Sequence, residues 1–200
     1  MRVTRETRER TRQAILDAAS SQFLEIGFEA AKTREIAAAA GIAAGTLFNY
    51  FPSKEALGLA LVSEAVDTGE VEFDATRRAG ESLEERLFAY VAIQLRHLAP
   101  TRAWVVEVLE TALSPLRAES PEGLAGDLRC RHLERVSEWL RAEEGLHPGA
   151  AENAMDLHLY WTLYLGALGF WARDDSHNQE ATLALLDRSI GLFCHALREE

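Results

Sequence analysis

Two cysteines, two lysines and five prolines are all that this chain of 200 residues holds of those types. Cys130 and Cys194 cannot build a disulfide framework, which fits a reducing compartment. No apolar run reaches the ~20 residues of a membrane span. The densest, Leu157 to Ala172, is interrupted by His158 and carries Tyr160, Thr162 and Tyr164. The opening MRVTRETRERTR has charge but neither an apolar stretch nor a small-residue cleavage site, so it does not read as a secretory signal. The expected location is cytoplasmic. There is no P-loop, dinucleotide fingerprint or Ser-His-Asp arrangement, which argues against an enzyme and against a cofactor. Cys130-x-His132 is too sparse for a metal site, and the six histidines (97, 132, 147, 158, 177 and 195) lack ligand spacing. No catalytic and no metal-binding residue is expected.

What remains is a soluble, globular composition, 48% hydrophobic and 26% charged. The length suits one large domain, or a small domain fused to a medium one. The net charge of −11 speaks against a nucleic-acid partner at first sight. Its distribution is uneven. Residues 1–55 carry eight basic and seven acidic side chains, whereas the other 145 carry 13 and 25. The first twelve residues alone are +3, and both lysines, Lys32 and Lys54, lie in the first 55.

Strand signals are nearly absent and helix punctuation is frequent. Ile15, Ala19, Phe23 and Ile26 recur at helical period over about 7–26, and Gly27 supplies a stop. Short helices follow over 34–40, ended by Gly41, and 44–50, closed by Pro52. Ser53 caps a long helix to about Ala79, and Ser82 with Glu85 forms a capping box that opens a helix to about Leu98. Pro100 breaks that helix. Thr101 caps a stretch to about Leu113, Ser114–Ser120 reads as a loop, and Pro121 opens a helix to about Glu144. Pro148 opens another to about Ala172, and a last one covers about 179–198. The expectation is an all-α protein of nine helices. The chain is expected to divide into a small helical domain, residues 1–55, and a larger one, residues 56–200.

The segment Ile36 to Phe51, IAAAAGIAAGTLFNYF, carries the signal. A helix-turn-helix crosses two helices at roughly 90–120° through a tight turn. The crossing needs a small residue (Ala37), the turn a residue tolerant of positive φ (Gly41), and the second helix an apolar residue facing back (Leu47), with Ile42 beneath the turn. The flanks extend the pattern: Ile15-Leu-Asp-Ala-Ala, Phe23, Gly27-Phe28, Thr33-Arg-Glu-Ile-Ala, Gly45-Thr-Leu-Phe-Asn-Tyr-Phe and Ser53-Lys-Glu-Ala-Leu. Together, over about residues 11–57, they closely resemble the DNA-binding domain of TetR-family transcriptional regulators.

That resemblance implies a homodimer whose paired domains engage adjacent major grooves of double-stranded operator DNA. It implies DNA contacts at Thr33, Arg34, Ala44, Gly45, Thr46, Phe48, Asn49, Tyr50 and Lys54. The chemistry of several supports this. Arg34 can bind guanine edges or a phosphate, and Asn49 can pair with adenine. Gly45 lets the backbone approach closely, Thr46 offers a hydroxyl or a methyl group, and Lys54 at a helix N-terminus suits a phosphate. Three positions depart from the family pattern. Lys32 and Ala43 stand where capping hydroxyls are usual, a loss of about 1 kcal/mol each. Phe48 replaces a tyrosine. DNA shape is therefore expected to matter beside direct readout, with the N-terminal arginines as a flexible arm.

In the remaining two-thirds, Met155, Leu157, Leu159, Tyr160, Trp161, Leu163, Tyr164, Leu165, Leu168, Phe170 and Trp171 nearly encircle one helix, which must be covered on both sides. A two-fold four-helix interface from 148–172 and 179–198 is expected, with Gly166 and Gly169 allowing close approach. Candidate lining residues for a small-molecule effector pocket are Phe88, Tyr90, Trp104, Trp139, His158, Trp161 and Tyr164. Taken together, the sequence reads as a ligand-responsive repressor. The alternative is a helical small-molecule binding protein with weakened DNA binding, suggested by the missing caps and the net charge.

Overall fold

In the computed structural model residues 4–112 and 123–198 are described, with the side chains of 109–112 left aside. The expected loop Ser114–Ser120 and the Pro121 helix start lie outside the described residues. Among the described residues are nine α-helices and no strand: α1 (Arg5–Ile26), α2 (Thr33–Ala39), α3 (Ala44–Phe48), α4 (Lys54–Thr76), α5 (Leu83–Leu98), α6 (Val105–Ala112), α7 (Leu124–Ala142), α8 (Ala154–Trp171) and α9 (Glu180–Leu197). The fold is all-α, as the punctuation in the sequence implies.

Local chemistry sets the helix bounds. Thr4 accepts from the Thr7 amide at 3.2 Å and starts α1 early, so Arg5, Arg8, Arg10 and Arg12 are helical and do not form a flexible arm. Arg10 pairs with Glu6 one turn back, at 3.0 Å. Ser53 accepts from the Ala56 amide at 3.1 Å as the cap of α4. Where the sequence suggests a run to Ala79, α4 stops at Thr76, whose hydroxyl bonds the Glu72 and Phe73 carbonyls. The Ser82–Glu85 capping box is reciprocal, at 3.2 and 2.9 Å.

Two starts differ from expectation. After Pro100 the chain makes a 3₁₀ turn, Ala99–Thr101, and α6 begins only at Val105. Pro148 does not open α8. Gly149 takes φ of +81°, the chain turns over 149–153, and Asn153 caps the helix by accepting from the Met155 amide at 2.9 Å. The corner between α8 and α9 is held by Asp174. Its carboxylate accepts from the Thr182 hydroxyl (2.6 Å), the Thr182 amide (2.8 Å) and the Ser176 amide (2.9 Å). The Thr182 and Ser176 bonds hold that carboxyl far below the usual range.

By internal contacts the chain divides into two compact units: Met1–Glu64 with Pro100–Ser114, and Ala65–Ala99 with Pro115–Glu200. This compactness boundary falls inside α4, whereas the division proposed from the sequence separates 1–55 from 56–200. The first unit has its own core. Ile15, Leu16, Ala19 and Phe23 of α1 are buried with Ile36 and Ala37 of α2, Leu47 of α3 and Trp104. Trp104 stands edge-on to Phe23 (5.1 Å) and stacks on Phe28 (6.0 Å).

Gly58 of α4 is buried in this core. A Cβ there would lie 2.8 Å from a Val108 methyl and 3.1 Å from the Phe28 ring. Gly58→Val is therefore expected to destabilise the protein by about 1–3 kcal/mol through overpacking. A denaturant melt with an unchanged midpoint would contradict that packing.

The second unit contains the last part of α4 with α5, α7, α8 and α9. Its core is aromatic. Phe73, Tyr90 and Trp139 meet at 5.0–5.3 Å, and His132, Tyr160, Trp161 and Tyr164 continue the cluster. The acidic side of α4 is paired: Asp67 with Arg131, Asp74 with Arg135, and Glu72 with Arg96 and His97.

Candidate nucleic-acid interface

The geometry of α2 and α3 follows from a few small and apolar side chains. Ala37 and Leu47 are fully buried, which allows the two helices to cross closely. Gly41 takes φ of +71° in the turn, and the next amide, Ile42, closes it on the Ala37 carbonyl at 2.9 Å. Leu47 fixes the second helix from beneath. Neither helix has a side-chain cap: Lys32 and Ala43 occupy the cap positions without a capping bond.

With the apolar residues turned inward, the other face is open. Arg34, Gly45, Phe48 and Asn49 are exposed, and Thr33, Ala44, Thr46, Tyr50 and Lys54 are half-buried. Phe48 is 48% exposed. An added Cβ on Gly45 would meet nothing within 4 Å. Asn49 closes α3, its amide bonding the Thr46 and Leu47 carbonyls, which leaves the side-chain amide outward.

Lys54 is more engaged than a free surface lysine. Its ammonium donates to the Phe28 carbonyl at 2.7 Å and the Glu29 carbonyl at 3.0 Å, and lies 4.6 Å from the centre of the Phe28 ring. It ties the start of α4 to the turn after α1, and one of its three protons remains for another acceptor. Beside it the Ser53 hydroxyl holds the Glu55 carboxyl below its ordinary range. Arg12 bonds Glu64 at 2.8 Å and lies over the Phe51 ring.

The candidate pocket residues do not form one group. Tyr90, Trp139, Trp161 and Tyr164 come together in the second unit. Trp104 packs in the first unit with Phe23 and Phe28. His158 is exposed on α8, because it falls on the outer side of that helix. Phe88 lines an open groove with Arg78, Glu81, Glu84 and Glu85 and the α9 residues Asp187, Ile190 and Gly191.

Three central side chains were not among those candidates: Gln94, His132 and Tyr160. Each sits at helical spacing within an apolar stripe, Gln94 four residues after Tyr90 and His132 four after Leu128, and that spacing was the available signal. Tyr160 and His132 are joined at 3.0 Å. Burial pushes the His132 pKa down to about 3, so the imidazole is neutral in the folded protein. Unfolding returns it to the ordinary value near 6.5. Its contribution is therefore present above about pH 6.5 and is lost as pH falls toward 3, at up to about 1.4 kcal/mol per pH unit. His132→Phe is expected to flatten the stability curve between pH 6 and 4. An unchanged acid limb in that variant would assign the slope elsewhere.

Residues 15–61 match the family model for bacterial regulatory proteins of the tetR family. The HTH-type transcriptional regulator RutR of Escherichia coli (strain K12) is 41% identical over 56 residues, 28% of this chain and 26% of that protein. The A-factor receptor protein of Streptomyces griseus is 37% identical over 95 residues, 46% of this chain and 33% of the receptor. The chain thus matches between a quarter and a third of the length of these relatives. Among solved structures, the TetR transcriptional regulator from Nitrosomonas europaea is similar with a TM-score of 0.65 and 23% identity, covering 92% of this chain and 98% of that one. FadR of Thermus thermophilus, solved in complex with lauroyl-CoA, gives 0.67 and 21%, covering 94% and 96%. The solved structures bear on the fold, and the sequence matches on the helix-turn-helix. Both agree with the residue pattern around Ala37, Gly41 and Leu47, and residues 15–61 are a helix-turn-helix segment of the kind found in bacterial regulatory proteins of the tetR family.

Proposed function

We propose that this chain is a sequence-specific DNA-binding transcriptional regulator that acts as a homodimer and as a ligand-responsive repressor in the cytoplasm, by binding and not by catalysis. Residues 1–55 are its DNA-binding part and residues 56–200 its effector-binding and dimerisation part. One observation carries the reading. The outer face of α3 holds an exposed phenylalanine beside a glycine on which an added Cβ would meet nothing within 4 Å among the described residues. An apolar ring left half in water and an open glycine backbone both suit a surface that closes on a duplex.

Arg34, Thr46 and Asn49 are the proposed base readers and Thr33, Tyr50 and Lys54 the phosphate contacts, with Ala44, Gly45 and Phe48 in close apposition. The outer faces of α8 and α9 are the proposed dimer interface. Met155, Leu159 and Phe170 are exposed at helical spacing along α8, and Leu192 is exposed on the outer side of α9. Half-sites must match a helical repeat of about 34–36 Å. A small hinge of α4, the helix shared by both units, is therefore enough to release operator when an effector favours the other spacing.

The test is salt-titrated binding to DNA from the chain's own promoter region. Asn49→Ala should relax preference at one base position by about 1–3 kcal/mol. Lys54→Ala should weaken all sequences alike and reduce the salt slope by about one. Unchanged discrimination in Asn49→Ala would contradict the contact assignment. A wild-type chain that binds no duplex at low salt would point instead to a helical small-molecule binding protein.

A further inference from the structure

Among the described residues, three side chains of the second unit that are themselves fully buried carry a nitrogen with no hydrogen-bond partner: Gln94 Nε2 on α5, His132 Nδ1 on α7 and Trp161 Nε1 on α8. Their side chains are 0%, 1% and 0% exposed. One ring cluster joins them. Tyr164 donates its hydroxyl to Gln94 Oε1 at 3.1 Å. The Tyr164 ring lies 4.3 Å from His132 and 5.2 Å from Trp161, and His132 lies 5.6 Å from Trp161. Trp104, in the first unit, also has a buried indole nitrogen without a partner among the described residues, and it packs with the rings of Phe23 and Phe28.

All three nitrogens are donors. An indole nitrogen can only donate, and a glutamine whose oxygen is taken offers its NH₂. Of the two tautomers that the 3.0 Å contact between His132 Nε2 and the Tyr160 hydroxyl allows, the one with the tyrosine donating gives the buried hydroxyl proton an acceptor, and it puts the imidazole proton on Nδ1. Unpaired buried donors on three different helices are costly to the fold and call for an explanation.

We propose that Gln94, His132 and Trp161 form the donor set that recognises an uncharged effector bearing a carbonyl-type oxygen (a ketone, amide or ester) on an apolar or aromatic body. The proposal rests on the reading of the chain as effector-responsive. The surroundings argue against an ion. A cation finds no acceptor among three donors. An anion meets the Glu70 carboxylate, which is bonded to the Tyr90 hydroxyl at 3.0 Å, with the Tyr90 ring 5.0 Å from His132. The guanidiniums of Arg131 and Arg135 are paired with Asp67 and Asp74. Arg129 lies over the face of Trp161, 5.8 Å from its centre, and not in line with its N–H. Space is the other constraint. A cavity of about 10 Å³ lies beside the cluster, bounded by Tyr160 and Tyr164 toward α9, and none of Gln94, His132 and Trp161 lines it. A ligand therefore enters by moving these rings, and occupation displaces side chains that α5, α7 and α8 share.

The full-length protein is titrated by calorimetry with benzylacetone, hydrocinnamate and butylbenzene, which share a phenyl group and a short chain. Benzylacetone should bind at least about tenfold tighter than the carboxylate. Gln94→Leu and Trp161→Phe should each weaken benzylacetone about five- to tenfold and leave butylbenzene unchanged. Trp161→Phe also removes part of a fully buried ring and lowers the melting temperature of the ligand-free protein, so the readout is the ratio of benzylacetone to butylbenzene affinity, which lost packing alone would not change. The proposal is overturned if benzylacetone does not bind, if hydrocinnamate binds as tightly, or if neither variant alters benzylacetone binding. Gln94-dependent binding that leaves operator affinity unchanged would support the donor set and remove the effector-responsive reading.

Discussion

Leu159→Glu is expected to split the protein into monomers and to lower its affinity for operator DNA at least about a hundredfold, with little change in the stability of the subunit. The argument starts from α8, which has almost no polar side. Its inner face, Tyr160, Trp161, Tyr164, Ala167, Leu168 and Trp171, is buried in the chain's own core. Its outer face is still apolar: Met155 is 77% exposed, Leu159 41% and Phe170 45%. A helix apolar on both sides needs cover on both sides. Between Leu159 and Phe170, Gly166 leaves open space where a side chain would stand, so a facing helix can approach its backbone.

In a two-fold interface each substitution counts twice, because the same patch meets its own copy. Two glutamates brought together in an apolar seam repel and lose water, which costs more than the seam returns. The loss in DNA binding follows from valence. Two linked half-site contacts exceed one by a factor of about 10²–10⁴. Sedimentation of the wild type as a dimer and of the variant as a monomer is the expected result. A variant that still sediments as a dimer would move the interface off α8.

The parts of the fold that were legible in the sequence are those where one short segment holds the whole cause. Ala37, Gly41 and Leu47 lie within eleven positions, so their spacing is enough to read the turn between two helices. The same holds for Ser82 and Glu85, where cap and reciprocal cap are three residues apart. Where the cause is a competition, the reading failed. Pro148 is a good first helical residue, but Gly149 at positive φ turns the chain and Asn153 offers the better cap. The candidate pocket residues were harder to group for a different reason. An aromatic residue reads the same wherever it is buried, so nothing in the segment around Trp104 told that it packs against Phe23 and Phe28, some 80 residues earlier. Gln94 and His132 were legible in principle, as polar interruptions of apolar stripes. An interruption shows its meaning only when its neighbours across the core are known, here Tyr164 and Tyr160.

Gly45→Leu separates fold from function most cleanly, because two helical glycines of the same chain behave in opposite ways. Gly58 is glycine because the protein needs the room: Val108 and Phe28 stand within 3.1 Å of the missing Cβ. Gly45 has no such neighbour, and its backbone needs no left-handed conformation. A glycine inside a helix costs about 0.5–1 kcal/mol relative to a good helix former. The short α3, uncapped at Ala43, can least tolerate that cost. Within the chain alone, leucine at this position is therefore stabilising or neutral. On a duplex it is a wedge: the four carbons project from the face that carries Thr46, Phe48 and Asn49 and hold the helix away from the base edges. Direct readout by Asn49 depends on bonds that fail beyond about 3.2 Å, and a helix lifted by a side chain loses several such bonds at once. The expected result is a melting temperature equal to or above that of the wild type, with operator affinity reduced at least about thirtyfold, since each good base contact is worth about 1–3 kcal/mol. Wild-type affinity in the leucine variant, measured at the same salt, would mean that α3 does not lie against DNA at all.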